Sequence, residues 1–319
     1  MQVILLIIGF IIIIKASDLL VDASSALALN FHVPKMLIAL TIAAFGTCAP
    51  EIAISFQSVS AGNGEIAFAN VVGSCIVNVF LIIGLASFIR PIKVKHATIK
   101  KELPILVIIT SVFAVLMLDS LFNPFTSDTF SRSDGIILLL LFGLFLIYII
   151  QLLFKKSDYS EEEIEKIKYS PILSVIIIIV SIILIIFSSD LIVECAEAIA
   201  HRLNISEKLI TMFAIVIGTS LPEMVMTVTS AKKGEFDIAI GNIIGTNIFN
   251  ICIVLGLPVI IYGDVLLTGF GIIDIIAVFL SSALLFAFAR SEKLVDKKEA
   301  LIMLAIFAIY YIFILVEGY

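Results

Sequence analysis

Two hexads in this sequence place a carboxylate inside an otherwise apolar run: Gly46-Thr47-Cys48-Ala49-Pro50-Glu51 and Gly218-Thr219-Ser220-Leu221-Pro222-Glu223, offset by 172 residues. Met36-Leu37-Ile38-Ala39-Leu40 precedes the first and Ile52-Ala53-Ile54 continues it, so Glu51 sits at membrane depth if the run is a span. An ionisable residue there costs roughly 2.5–3.5 kcal/mol on insertion scales and usually faces a cavity or the bundle interior. One such Glu could be a satisfied structural group; two, each preceded by Gly-Thr and a Pro, point to a site. Proline has no backbone N–H, so Pro50 leaves the Gly46 carbonyl without its helical partner, and Pro222 does the same to Gly218. Freed carbonyls at membrane depth are tolerated where they line a cavity or are buried in protein. Carbonyl oxygens beside a carboxylate and a Thr hydroxyl suit a hard cation such as Na⁺ or Ca²⁺. Both hexads therefore read as broken helices that bind a cation near the midplane.

A second element follows each hexad. The stretch Ala69-Asn70-Val71-Val72-Gly73-Ser74-Cys75-Ile76-Val77-Asn78 matches Gly241-Asn242-Ile243-Ile244-Gly245-Thr246-Asn247-Ile248-Phe249-Asn250 in the same register. Ser74 and Asn78, like Thr246 and Asn250, are four residues apart and share a helix face. Ser and Asn in spans commonly serve as interhelical hydrogen-bond glue, and the neighbouring Gly73 and Gly245 could simply permit close packing. Repetition beside two buried Glu residues favours ligation.

These elements need a bilayer-spanning scaffold, and the composition supplies one. The chain has 319 residues, 61% hydrophobic and 14% charged, with apolar segments near 20 residues recurring throughout. Its mean hydropathy is +1.21. This defines an all-α polytopic membrane protein of the plasma or inner membrane. The net charge of −6 sits in loops, and no basic patch with interleaved aromatics suggests nucleic acid. Cys48, Cys75, Cys195 and Cys252 lie in apolar segments without metal-type spacing, which argues against a disulfide framework or a zinc site. The first span is long and has no small-residue cleavage site after it, so a cleaved leader is not expected.

Ten transmembrane helices are expected near 2–25, 36–59, 65–89, 102–120, 134–154, 171–200, 207–231, 237–262, 267–289 and 299–316. The polar link 155–170, with Ser160-Glu161-Glu162-Glu163, joins a first five-helix repeat (1–154) to a second (171–319). Sixteen Lys and Arg in one set of alternating loops face three in the other, which puts the central link in the cytoplasm and both termini outside. The register of 172 also aligns Asp18 with Asp190, Asn70 with Asn242 and Gly84-Leu85 with Gly256-Leu257. Five spans per half is odd, so the halves are inverted repeats, a design that places a site at the repeat interface and supports alternating access. Asp18 and Asp190 fall in the first and sixth spans; an interfacial role, with Lys15 paired to Asp18, is expected for them rather than ligation.

The paired motifs resemble the two α-repeats of the cation/Ca²⁺ exchanger superfamily, in particular its prokaryotic Na⁺/Ca²⁺ exchanger branch, with α-repeats at about 36–89 and 207–262. The resemblance spans the whole chain. It implies a secondary active antiporter, not an enzyme, in which long first and sixth spans slide across an ion-binding core. It implies Glu51 and Glu223 as acidic ligands, carbonyls from Thr47 and Thr219, hydroxyls from Ser74 and Thr246, and amides from Asn78 and Asn250. Ala44 and Val216 would offer carbonyls toward Na⁺. No cofactor and no obligatory protein partner are implied; the bilayer and the transported Na⁺ and Ca²⁺ are the partners. Three positions depart from the pattern. Cys48 stands where Ser is usual, as at Ser220, and a thiol is a poorer ligand for a hard cation. Asn250 falls where potassium-dependent members carry Asp, so exchange is expected to be potassium-independent and, as in the family, electrogenic and Ca²⁺-extruding. Val216 is bulkier than usual.

A Ca²⁺/H⁺ antiporter using the same two glutamates is the alternative, although no acidic residue follows Asn70 as in the proton-coupled branch. An intramembrane hydrolase would need an Asp pair, a Ser–His pair or a metal-binding His cluster in the spans, and His32, His96 and His201 lie at loops or span ends. A cation channel would conduct without a counter-ion. If Asn250 sets ion choice, Asn250→Asp changes cation selectivity or introduces potassium sensitivity in a transport assay; an unchanged ion dependence would count against that assignment.

Overall fold

The structure is a computed structural model that describes residues 2–118, 128–155, 159, 167–202, 218–267 and 271–317. Val216, the start of the seventh predicted span (207–217) and the acidic run 160–163 lie outside the described residues. The long helices are α1 (Gln2–Phe31), the pair α2 (Lys35–Thr47) and α3 (Ala49–Ser60), α4 (Gly64–Ile89), α5 (Glu102–Leu116), α6 (Arg132–Leu153), α7 (Pro171–Arg202), α8 (Leu221–Lys233), α9 (Phe236–Tyr262), α10 (Ile272–Glu292) and α11 (Lys297–Glu317). Six helices among the described residues are long and apolar enough to cross a membrane, and a seventh span results if α2 and α3 count as one. Large apolar side chains such as Ile4, Ile147 and Ile176 are exposed on the outer helices, as a lipid-facing surface requires. The protein is a multi-pass membrane protein.

Both proline breaks are present. α2 and α3 meet at 49°, and Cys48 between them has φ −75° and ψ 1°, outside helical values. Ser220, its counterpart before α8, has φ −85° and ψ 4°. Pro50 and Pro222 then fall in the first turn of the new helix, where a missing N–H costs nothing. Wide π-helical turns at Ala39–Ala43, Val77–Ile83 and Asn250–Leu255 interrupt α2, α4 and α9. Such turns shift helical register and often mark functional sites.

Sequence periodicity does not show two short antiparallel pairings: β1 (Ile92–Lys93) with β4 (Leu294–Val295), and β2 (Thr129–Phe130) with β3 (Val265–Leu266). Two residues are too few to carry a strand period. β1 follows α4 and meets the α10–α11 link, while β3 follows α9 and meets the α5–α6 link. A further equivalence joins buried Glu102, which accepts the Tyr148 hydroxyl, and buried Asp274, 172 residues on, which accepts the Tyr310 hydroxyl at 2.8 Å.

α1 and α7 pack along one another and lie against the broken helices, α7 against α2 and α1 against α8. At one end α1 is tied by charge. Lys233 bonds Asp22 at 2.7 Å and Asp18 at 3.4 Å, Lys168 bonds Asp22 at 2.9 Å, and Lys35 bonds Glu235 at 2.8 Å. The bond to Asp22 raises the Lys168 ammonium above its ordinary pKa. Asp18 thus meets Lys233 from the distant α8, which corrects the expected pairing with Lys15.

α9 approaches α2 closely at Gly245. A Cβ there would stand 2.7 Å from the Ala44 Cβ and 3.0 Å from the Leu40 Cα and O, all atoms that cannot swing aside. Gly245→Ala should therefore destabilise the protein by about 1–3 kcal/mol, read as a lower thermal midpoint in detergent; an unchanged midpoint would mean that the two helices can separate freely.

Candidate cation-binding centre

The broken ends of α3 and α8 start next to one another at mid-bundle, with α4 and α9 beside them. Glu51 and Glu223 are both fully buried. Ala44, Thr47, Cys48, Ser74, Asn78, Ser220, Thr246 and Asn250 are buried with them, while Thr219 is half-buried. Nine-tenths or more of buried polar groups in proteins find a hydrogen-bond partner. Here both oxygens of Glu51, both of Glu223, the Asn78 and Asn250 oxygens and the Thr246 hydroxyl have none. The Thr219 and Ser74 hydroxyls flank Glu51, and that of Thr47 flanks Glu223, but none meets hydrogen-bond geometry with those carboxylates. A cluster of buried acceptors short of donors is the environment in which a hard cation replaces the missing protons. The unpartnered atoms are carboxylate, amide and hydroxyl oxygens, which suit a hard cation better than zinc or copper.

The contacts cross between repeats. The Cys48 thiol points at the Thr246 carbonyl (4.0 Å), and the Ser220 hydroxyl meets that of Ser74 (3.5 Å), each pair joining one repeat to the other. The Thr219 hydroxyl lies 3.4 Å from the Asn70 Oδ1, and the Asn242 Nδ2 lies 3.3 Å from the Thr227 hydroxyl. Of the twelve residues named from sequence, ten are buried, Thr219 is half-buried and Val216 lies outside the described residues.

Sequence reasoning missed two kinds of participant. Asn247 on α9 reaches Asn78 on α4, a contact that no spacing rule predicts. Ser189 on α7 donates to the Gly218 carbonyl at 3.1 Å, the oxygen that Pro222 deprives of its helical partner. Its counterpart in the first repeat, Ser17, is buried with no partner. An open cleft of about 590 Å³ leads to Gly218 and Thr219 between Pro50, Ile186 and Val193, with Asp190 and Glu194 on its wall. Asp190, for which an interfacial role is expected, lines this cleft.

Buried carboxylates on proline-broken helices of a membrane protein fit the class of ion transporters. The chain belongs to the sodium/calcium exchanger family: the family described as sodium/calcium exchanger protein matches residues 1–151 and 173–316. Na⁺ and Ca²⁺ are the ions that this family transports. Inner membrane protein YrbG of Escherichia coli is 36% identical over 264 residues, covering 81% of this chain and 79% of its own. Sodium/calcium exchanger MaX1 of Methanosarcina acetivorans is 27% identical over 290 residues, covering 81% and 82%. The solved structure of the sodium-calcium exchanger NCX_Mj soaked with 10 mM Na⁺ superposes with a TM-score of 0.81 at 28% identity, covering 100% of this chain and 99% of that one.

Ser189→Ala removes the bond to the Gly218 carbonyl and should cost about 1 kcal/mol of stability, whereas Ser17→Ala, at a hydroxyl without a partner, should cost less. Thermal unfolding of both variants in the same detergent checks this, and equal losses would contradict it.

Proposed function

We propose that this chain is a secondary antiporter that exchanges Na⁺ for Ca²⁺ by alternating access, electrogenically and without potassium, in the direction of Ca²⁺ extrusion. The observation that carries the reading is the pair of fully buried carboxylates, Glu51 and Glu223, set among partnerless neutral oxygens. Two bare carboxylates in such a place cost several kcal/mol each. One Ca²⁺ cancels them, and so do Na⁺ ions taking the same oxygens. Competition for one ligand set makes the exchange obligatory, because a neutralised centre can be closed over and a doubly charged one resists closure. A stoichiometry that moves more Na⁺ charge than Ca²⁺ charge makes the cycle voltage-driven. The ligands are Glu51, Glu223, Ser74, Thr246, Asn78 and Asn250, with carbonyls of Ala44, Thr47, Thr219 and Val216 and a lesser share from Cys48 and Ser220. The likeness to MaX1 and NCX_Mj, both called sodium/calcium exchangers, supports the ion pair.

In this reading the chain forms ten spans in two inverted halves, 1–154 and 171–319, joined by a cytoplasmic linker at 155–170, with both termini outside. The reciprocal strand pairings and the matching breaks at Cys48 and Ser220 support a two-fold relation between the halves. α1 and α7 slide as a pair over the broken helices. The unequal bonding of Ser17 and Ser189 supports this: equivalent residues in the two halves hold different positions against their hexads. The cleft beside Asp190 then opens outward, away from the lysine-rich end.

The neutral oxygens also favour Na⁺ over H⁺ as the coupling ion, since a proton needs only the carboxylates. Radiolabelled Ca²⁺ uptake into proteoliposomes preloaded with Na⁺, K⁺ or choline tests the proposal. Uptake with internal Na⁺ alone, unaffected by protonophore at clamped voltage, is expected; uptake driven by a pH gradient without Na⁺ would transfer the protein to proton coupling. Glu51→Gln and Glu223→Gln should each abolish Ca²⁺ transport, and undiminished exchange in both would remove them from the ligand set.

A further inference from the structure

The two amides of the centre are not held alike. Asn78 donates its Nδ2 to the Oδ1 of Asn247 at 2.9 Å, and Asn247 donates its own Nδ2 to the Cys75 carbonyl at 3.4 Å. Asn78 is fully buried and Asn247 is 2% exposed. The direction of this chain is set by its last member. An amide's oxygen and nitrogen are told apart by their partners, and a backbone carbonyl can only accept. Asn247 must therefore turn its NH₂ to Cys75, its oxygen must face Asn78, and Asn78 must answer with its own NH₂. The Asn78 Oδ1 is left without a protein partner, on the helix face that carries Ser74.

The second repeat lacks this device. In the register of 172 the residue equivalent to Asn247 is Cys75, whose side chain is too short and too weakly polar to take its place. Asn250, equivalent to Asn78, has no partner for either its nitrogen or its oxygen.

We propose that Asn247 is a positioning residue: it locks the Asn78 side chain with oxygen toward the cation and nitrogen away from it, a constraint that Asn250 does not share. A rotated Asn78 would present two N–H donors to a cation and repel it. Asn247 touches no ion in this scheme and acts through Asn78 alone. The inference rests on the cation-exchange reading above.

The test is a double-mutant cycle read as the KM for Ca²⁺ in Na⁺-loaded proteoliposomes, with kcat recorded separately. Asn247→Leu, close to Asn in size, should raise KM roughly tenfold, the worth of one buried orienting bond, with a smaller change in kcat. Asn247→Ala serves in its place if the Leu variant does not assemble. In an Asn78→Asp background the two side-chain oxygens are equivalent and need no orienting, so Asn247→Leu should change KM by twofold or less relative to Asn78→Asp alone. A tenfold loss in both backgrounds would mean that Asn247 acts through packing, and an unchanged KM in the Asn78 background would mean that it does nothing for binding; either result overturns the proposal. Failure of the cation-exchange reading is distinguishable, because the wild-type chain would then show no Na⁺-dependent Ca²⁺ uptake at all.

Discussion

Two carboxylates buried at the middle of a membrane protein set the terms for the surrounding chain. Glu51 and Glu223 have no counter-charge among the described basic residues nearby; Lys35, Lys168 and Lys233 are engaged with Asp18, Asp22 and Glu235 at one end. Desolvation on that scale is met either by an opposite charge or by neutralisation. Around the pair the chain arranges amide, hydroxyl and carbonyl oxygens, which favour a cation but do not replace one. The proline breaks make this possible, since they turn the helix starts of α3 and α8 toward the centre while releasing main-chain oxygens at the same depth.

The parts around that centre divide by how tightly they are joined. α9 meets α2 through Gly245 with almost no tolerance, so these helices form one body. α7, in contrast, meets the hexads through aliphatic side chains, Ile182 against Gly46 and Val193 against Gly218. Contacts between branched aliphatics and glycine are smooth and lack directional bonds. The Ser189 bond to Gly218 is an exception among them. A tightly packed core beside long helices held mainly by aliphatic contacts is consistent with the sliding motion proposed above.

Much of this was legible in the sequence because membrane depth makes polar residues conspicuous. The hexads, the Ser/Thr and Asn pairs and the register of 172 stood out against apolar surroundings, and ten of the named residues are buried together. What stayed hidden depends on which helices touch. Asn247 reads as one polar residue among several until α4 lies beside α9. Lys15 is a turn away from Asp18 along the chain, yet Lys233 reaches it from another helix. The strand pairings involve two residues each, below any periodic signal. The carbonyl freed by Pro222 was foreseeable, but the Ser189 hydroxyl that takes it was not.

The ties at the lysine-bearing end are of a different physical kind from the contacts at the hexads. Lys168 and Lys233 meet Asp22 at a surface where the lysine side chains are 62% and 27% exposed. Attraction between such groups is screened over about 8 Å at physiological ionic strength and about 30 Å in 0.01 M salt. Aliphatic contact along α7 has no such dependence. The grip on α1 at that end is therefore set in part by the surrounding electrolyte. A protein built this way answers to total salt as well as to the ions of its family, its ties loosening at one end as the bath concentrates while its aliphatic contacts stay the same.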